Sequence, residues 1–307
     1  MRKIWPLLLF LLCASSGVPL HAQTIDDGCM ILARDLFTGV VYSHDSWDQY
    51  WEGTRKRTNG NLGTVSTQTA ALYADYGVTN DLNFIATVPY VRTHASRGVL
   101  QGMKGYQDLG LAAKYKFLET PFTSHGSLKA IAVVSGAIPL SDYTPDYQPL
   151  ALGSGSKRIA GRLTLNFQSL SGWFVNGSAS YTWRDKVTLD RPYYYTDGQL
   201  FLTDEVAMPE VFDYTVGTGY LDQKLMASVS YWQQSTQGGG DIRRQDMPFV
   251  SNRMNFSRVS AMVLWHVPKL ERLQIQAGYS YVLEGRNVGQ ASTVTTGLLY
   301  TFGFGAR

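Results

Sequence analysis

Segment after segment of this chain repeats with a period of two, the period of a strand. Between Arg158 and Phe167 one face carries Ile159, Gly161, Leu163, Leu165 and Phe167, and the other Arg158, Ala160, Arg162, Thr164 and Asn166. Trp173–Arg184 splits into Trp173, Val175, Gly177, Ala179, Tyr181 and Trp183 against Phe174, Asn176, Ser178, Ser180, Thr182 and Arg184. Asp108–Phe117 and Leu273–Tyr281 alternate in the same way. A soluble sandwich alternates too. What differs here is the second face, which is small and hydroxyl-rich with few charges, while the apolar face starts or ends on aromatics. Lipid outside, water inside and aromatic girdles at both interfaces require that composition.

The pattern predicts about twelve strands, near 38–52, 63–77, 81–92, 106–118, 127–138, 158–168, 172–184, 211–221, 223–235, 253–267, 271–284 and 290–304. Their joints alternate. Tight turns such as Thr79-Asn80-Asp81 and Pro268-Lys269 follow the even strands, with the joint near 119–126 somewhat longer. Longer polar loops follow the odd strands, the longest around 185–210. Short connections on one side and long on the other are the bacterial outer-membrane pattern. The expected fold is all-β: a transmembrane antiparallel β-barrel of about twelve strands, with both termini in the periplasm. Alternation is poorest around His44–Asp48, in the first strand.

The two ends of the chain agree with this reading. Arg2 and Lys3 precede an apolar run from Ile4 to Val18, and Leu20-His21-Ala22 offers a cleavage site. Residues 1–22 therefore read as a signal peptide, too short for a spanning helix. Cys13 follows Leu12, which is too bulky for a lipoprotein site. Removing Arg2 and Lys3 takes Lys+Arg from 27 to 25 against 24 Asp+Glu, a net charge of +1 that gives no basis for a nucleic-acid partner. Charged residues are 17% and aromatics 13%, which suits neither a disordered chain nor an ordinary soluble enzyme. Cys29 alone remains after cleavage, so no internal disulfide forms. Residues 23–37 read either as a periplasmic lead or as a small plug tucked into the lumen from below, and 38–307 as the barrel. At the other end, the row Leu298, Tyr300, Phe302, Phe304, with Gly297 before it, resembles the C-terminal signal recognised for barrel insertion. Gly305-Ala306-Arg307 depart from it by following the last aromatic.

Three stretches resemble the outer-membrane transporter family associated with the meta-pathway of phenol degradation. They are Thr79-Asn80-Asp81-Leu82-Asn83-Phe84, the run Gly105–Phe117 (GYQDLGLAAKYKF), and Gly136-Ala137-Ile138-Pro139-Leu140. The similarity runs over most of the mature chain. It implies an outer-membrane channel for aromatic or other hydrophobic compounds, and it supplies no binding residues to carry over.

By parity the inward face holds Lys114, Lys116, Lys129, Arg158, Arg162, Arg184 and Arg258, against Asp75 and Asp108. Rings of one sign select the opposite sign, so the expected lumen is mildly basic and favours anionic solutes, with Lys114, Arg162 and Arg258 orienting them. The alternative is that these charges pair with one another and with loop acids as a filling network. Pro89 and Pro139 stand near the outer ends of rising strands and donate nothing to the ladder. Each marks either a lateral opening or a frayed strand end. His94-Ala95-Ser96 has the spacing of an outer-membrane phospholipase pair, but no Asn or Asp stands in register to orient the histidine. His44, His125 and His266 are isolated, and no pair has metal-ligand spacing. Thr54-Arg55-Lys56-Arg57 is a basic outer loop suited to lipopolysaccharide phosphates. Gly238–Arg244 reads as a flexible glycine-rich loop.

The function expected is a passive channel for a small organic solute, aromatic or anionic, with no cofactor, metal or covalent chemistry. The alternatives are a phospholipase, or a structural or adhesive barrel working through its loops. The implied partners are outer-membrane lipid, lipopolysaccharide, the barrel-assembly machinery and the solute.

Overall fold

The computed structural model describes residues 24–243, 248–270 and 272–304. The signal-peptide reading falls outside these, as do Arg244 and Gly305–Arg307. Twelve long strands are present: β1 (Asp35–Trp47), β2 (Val65–Gly77), β3 (Leu82–Ala95), β4 (Asp108–Thr123), β5 (Gly126–Pro139), β6 (Arg158–Ser169), β7 (Trp173–Arg184), β8 (Val211–Leu221), β9 (Leu225–Thr236), β10 (Asn255–His266), β11 (Leu273–Arg286) and β12 (Ser292–Gly303). Each pairs antiparallel with the next, and β12 pairs with β1 from Gly303 opposite Asp35 to Ser292 opposite Ser46. The sheet is therefore closed, which satisfies every edge, the condition for backbone in lipid. Strands of 11 to 16 residues exceed the roughly 9–11 needed to span a tilted barrel wall.

The distribution of side chains is inverted relative to a water-soluble protein. Leu72, Phe84, Leu111, Leu163, Leu165, Val216 and Leu298 are exposed on the outside, while Asp75, Asn83, Lys114, Thr164 and Asn166 are buried within. Such an apolar belt is tolerated only where lipid covers it. Aromatic pairs rim the belt at both ends. Tyr90–Tyr106 (5.4 Å) and Tyr181–Trp183 (5.1 Å) stand at the long-loop end, and Trp173–Tyr220 (5.6 Å) and Phe122–Phe167 (5.9 Å) at the short-turn end. The C-terminal row lies on this outer surface. Leu298 and Phe304 are exposed, and Tyr300 and Phe302 are in ring contact at 4.5 Å.

Two boundaries differ from the sequence reading. The first strand leaves the wall at Trp47, not 52. Gln49–Glu52 instead folds back on Arg55–Thr58 as a separate hairpin. Trp51 is buried there and donates its backbone N–H to Val288 O (2.9 Å). The joint near 119–126 is not longer than its neighbours, because β4 continues to Thr123 and turns directly into Gly126. It absorbs the extra residues as register slips at Lys116/Leu118 and Pro121/Thr123.

The long loops interlock. Residues 140–157 fold inward, burying Tyr143, Leu150 and Leu152, and Thr93 Oγ1 donates to Leu150 O at 2.7 Å. Val187, Leu189, Tyr194, Val206 and Met208 from 185–210 share an apolar cluster with Phe249 and Val250. The expected flexible segment Gly238–Arg243 is tied down instead. Arg286 donates twice to Asp241 (2.7 and 2.6 Å), and Asn287 bridges Asp241, Ile242, Arg253 and Gly53. These hydrogen bonds from Arg286 pull the Asp241 carboxyl down to about 2. A depressed carboxyl stabilises above its ordinary value near 4, and that contribution is lost as pH falls through the depressed one. The cap should therefore loosen between about pH 4 and pH 2. Proteolytic cleavage within 237–254 should rise over that window, and Asp241→Asn should show the loosened pattern already at pH 7 with no further acid response.

Candidate functional site in the barrel lumen

Residues 24–34 occupy the short-turn half of the lumen. Ala33 N donates to Asn80 Oδ1 (3.0 Å) and Arg34 N to Gly77 O (2.7 Å), fixing the segment at the rim, and Asp35 N closes the turn on Leu32 O (3.1 Å). Further in, Ile31 is 1% exposed among Phe37, Phe174, Met226, Leu264 and Leu299, and Met30 packs on Ile85, Ile131 and Val133. Asn176 Nδ2 donates to Asp26 O at 2.6 Å. Two glycines make the close approach feasible: a Cβ at Gly28 would overlap the Asn166 side chain, and one at Gly77 would overlap the Leu32 carbonyl. Lys114 anchors the tip. Its Nζ donates to Asp27 Oδ1 and to Thr24 O, each at 2.8 Å, and its side chain is 0% exposed.

The parity assignment places all nine inward charges on the lumen side, but it does not leave them free. Lys114 is spent on Asp27. Arg162 pairs with Asp213 (2.7 Å) and donates to Ser178 Oγ (2.9 Å). Arg158 pairs with Asp108 (2.9 Å), which also accepts from the Tyr143 hydroxyl (2.7 Å). Lys116 lies between Asp81 (3.0 Å) and Glu119 (2.5 Å), and Lys129 reaches Glu119 at 3.8 Å and Gln168 at 3.3 Å. Asp75 accepts from Asn83 Nδ2 at 3.1 Å. Among the described residues, Arg184 and Arg258 are the two of these cations without an ion pair. Arg184 stands opposite Arg158 in the ladder, and Arg258 lies 4.3 Å over the Trp232 ring. The basic lumen expected from parity is thus a largely compensated network. Asp213 was legible from its position between Val211 and Thr215. Asp27 was not, because it lies in a segment without period.

Beside the plug tip is a cavity of about 250 Å³, lined by Thr24, Phe37, Val41, Ala71, Tyr73, Met262, Leu264, Gln276 and Leu299. Among the described residues, no charged side chain lines it. A second cavity of about 410 Å³ lies among the long loops, between Trp47, Tyr50, Asn61, Leu100, Pro149 and Ile242.

His94 is exposed, Ser96 Oγ accepts from Thr64 N (2.8 Å), and no hydrogen bond joins the two side chains among the described residues. In the basic stretch Thr54–Arg57, Arg57 is neutralised by Glu52 at 2.6 Å, and Lys56 lies 5.7 Å over Trp51.

A closed twelve-strand wall, lipid-facing outside and polar within, defines the transmembrane barrel fold of outer-membrane channels. The COG4313 outer membrane channel from Pseudomonas putida F1 superposes with a TM-score of 0.71 over 92% of this chain and 100% of that chain, at 13% identity. The NanC porin aligns over 85% of this chain and 98% of that chain, at 8% identity and a TM-score of 0.45, a likeness too slight to argue from. No protein-family model and no curated protein sequence matches the chain.

Proposed function

We propose that this chain is a passive outer-membrane channel for small organic solutes, with short turns and both termini in the periplasm, and that it prefers uncharged solutes to anions. The uncharged cavity at the plug tip carries this reading. An apolar space of about 150 Å³ suffices to hold benzene, so 250 Å³ accommodates a single-ring solute, and Thr24, Tyr73 and Gln276 supply polar groups to its lining. The compensated lumen supports the preference. With Lys114, Arg162 and Arg158 paired, the lumen offers an anion little that water does not. The resemblance to the phenol meta-pathway family points the same way for aromatic solutes.

The test is uptake of phenol and of benzoate by vesicles holding the refolded full chain. Phenol should enter faster than benzoate, and Ala71→Leu, which fills the cavity, should slow phenol several-fold. Faster benzoate entry would overturn the preference. No uptake of either, with the barrel folded by its heat-dependent gel shift, would overturn the channel.

A further inference from the structure

We propose that the outer wall, at the long-loop end of β1, β2 and β3, holds a binding site for the phosphates of lipopolysaccharide, built on Arg92 and Lys104. The site is separate from conduction. It rests on the orientation given above, with the long loops outside the cell.

Two rows of register partners cross the strands here. The lower row is Tyr42 on β1, Ala70 on β2, Tyr90 on β3 and Tyr106 in Lys104–Tyr106, a short strand that precedes β4. All four are exposed, and the Tyr90 and Tyr106 rings meet at 5.4 Å. Exposed tyrosines at the border of an apolar belt mark the membrane–water interface. The upper row lies two residues nearer the loops on each strand and reads His44, Gln68, Arg92 and Lys104. Two residues rise about 7 Å along a strand, which lifts this row from the rings to the headgroups. The chain neighbours of the two strongest cations confirm the facing. Thr93 Oγ1 bonds Leu150 O inside the barrel, and Met103 packs inside on the cluster of Val91, Tyr143 and Leu152.

The upper row holds cations and no carboxylate. Arg92 and Lys104 stand directly opposite each other, which is destabilising for like charges without a counter-ion. Among the described residues neither has an ion pair, not even with the exposed Asp142 of the neighbouring loop. Elsewhere at this level carboxylates are present. Asp185 lies beside Lys157 (Asp185 N to Lys157 O, 2.8 Å), and the Tyr181 hydroxyl donates to Glu210. An anion at the headgroup level is therefore favoured on β1–β3 and opposed on β7 and β8. A guanidinium forks the oxygens of a phosphate and an ammonium adds a point charge. Adjacent strands are about 4.8 Å apart, so both groups reach one phosphate. The row from His44 to Lys104 spans three such spacings, about 14 Å, which suits a headgroup with several phosphates. His94, the next outward residue of β3, extends it. The basic stretch Thr54–Arg57 is the poorer site, because it lies on a hairpin off the wall and Arg57 is spent on Glu52.

The experiment measures binding of bisphosphorylated lipid A to the full chain in detergent by native mass spectrometry, with the folded barrel verified by its heat-dependent gel shift. Arg92→Gln/Lys104→Gln should weaken binding at least tenfold. Arg55→Gln/Lys56→Gln removes the same charge from the hairpin and should stay within twofold. Lipid A stripped of its phosphates should bind the unaltered chain at least tenfold more weakly. Equal binding by the two double variants, or undiminished binding of the stripped lipid, would overturn the site. Phosphatidylglycerol bound as tightly as lipid A would overturn the assignment to lipopolysaccharide. Protease treatment of intact cells reads the orientation separately. If the site fails while the long loops are cut from outside, the orientation and the channel stand. Loops cut only in broken cells would overturn the orientation and the site together.

Discussion

Replacing Lys114 by Met should convert a steady low-conductance barrel into one that switches between two conductance levels. The ammonium it removes is fully enclosed and holds both Asp27 and the Thr24 carbonyl. Leaving a carboxylate buried without its partner costs about 3–5 kcal/mol. The segment has one escape, which is to swing out about the turn at Arg34 and hydrate Asp27. That exposes Met30 and Ile31, a loss of about 1.5–3 kcal/mol each. The two costs are comparable, so neither state should dominate. Ile31→Ala added to Lys114→Met removes part of the packing that holds the segment in, about 2–5 kcal/mol, and should leave the barrel open most of the time. Planar-bilayer recordings read both results, and protease access to residues 24–34 should rise in parallel. A single unchanged level with unchanged protection would mean that the segment is held by something other than this pair.

Leu163→Arg should lower the unfolding free energy by about 2–4 kcal/mol in lipid vesicles, the range for a basic side chain facing mid-bilayer. Leu163 is 51% exposed on the outer surface between Leu165 and Gly161 of the same face. On a water-facing surface the same change would fall within about ±0.5 kcal/mol. The size of the effect therefore reports what covers this face. Urea titration of the folded band on unheated gels measures it. A change near zero at Leu163, repeated at Leu298 on the far wall, would contradict a lipid-covered belt.

The plug variant depends on tertiary structure and the belt variant on sequence, and the difference has a physical cause. Period-two alternation forces one face of each strand toward lipid, so Leu163 and Arg162 were assigned to opposite sides before any coordinate. The same parity assigned nine charges to the inward face, because register in a closed sheet leaves no freedom of face. The first strand read least well. Its upper end, Gln49–Glu52, peels off to bury Trp51, a choice made by loop packing and not by alternation.

What the sequence determined by itself is the barrel, its strand number and which residues face inward, all consequences of a two-residue repeat. What only the tertiary structure decided is the state of those residues. Lys114 meets Asp27 across 87 positions and Arg162 meets Asp213 across 51. Pairings over such distances follow from strand order and from how an aperiodic segment packs, and neither leaves a local mark in the chain.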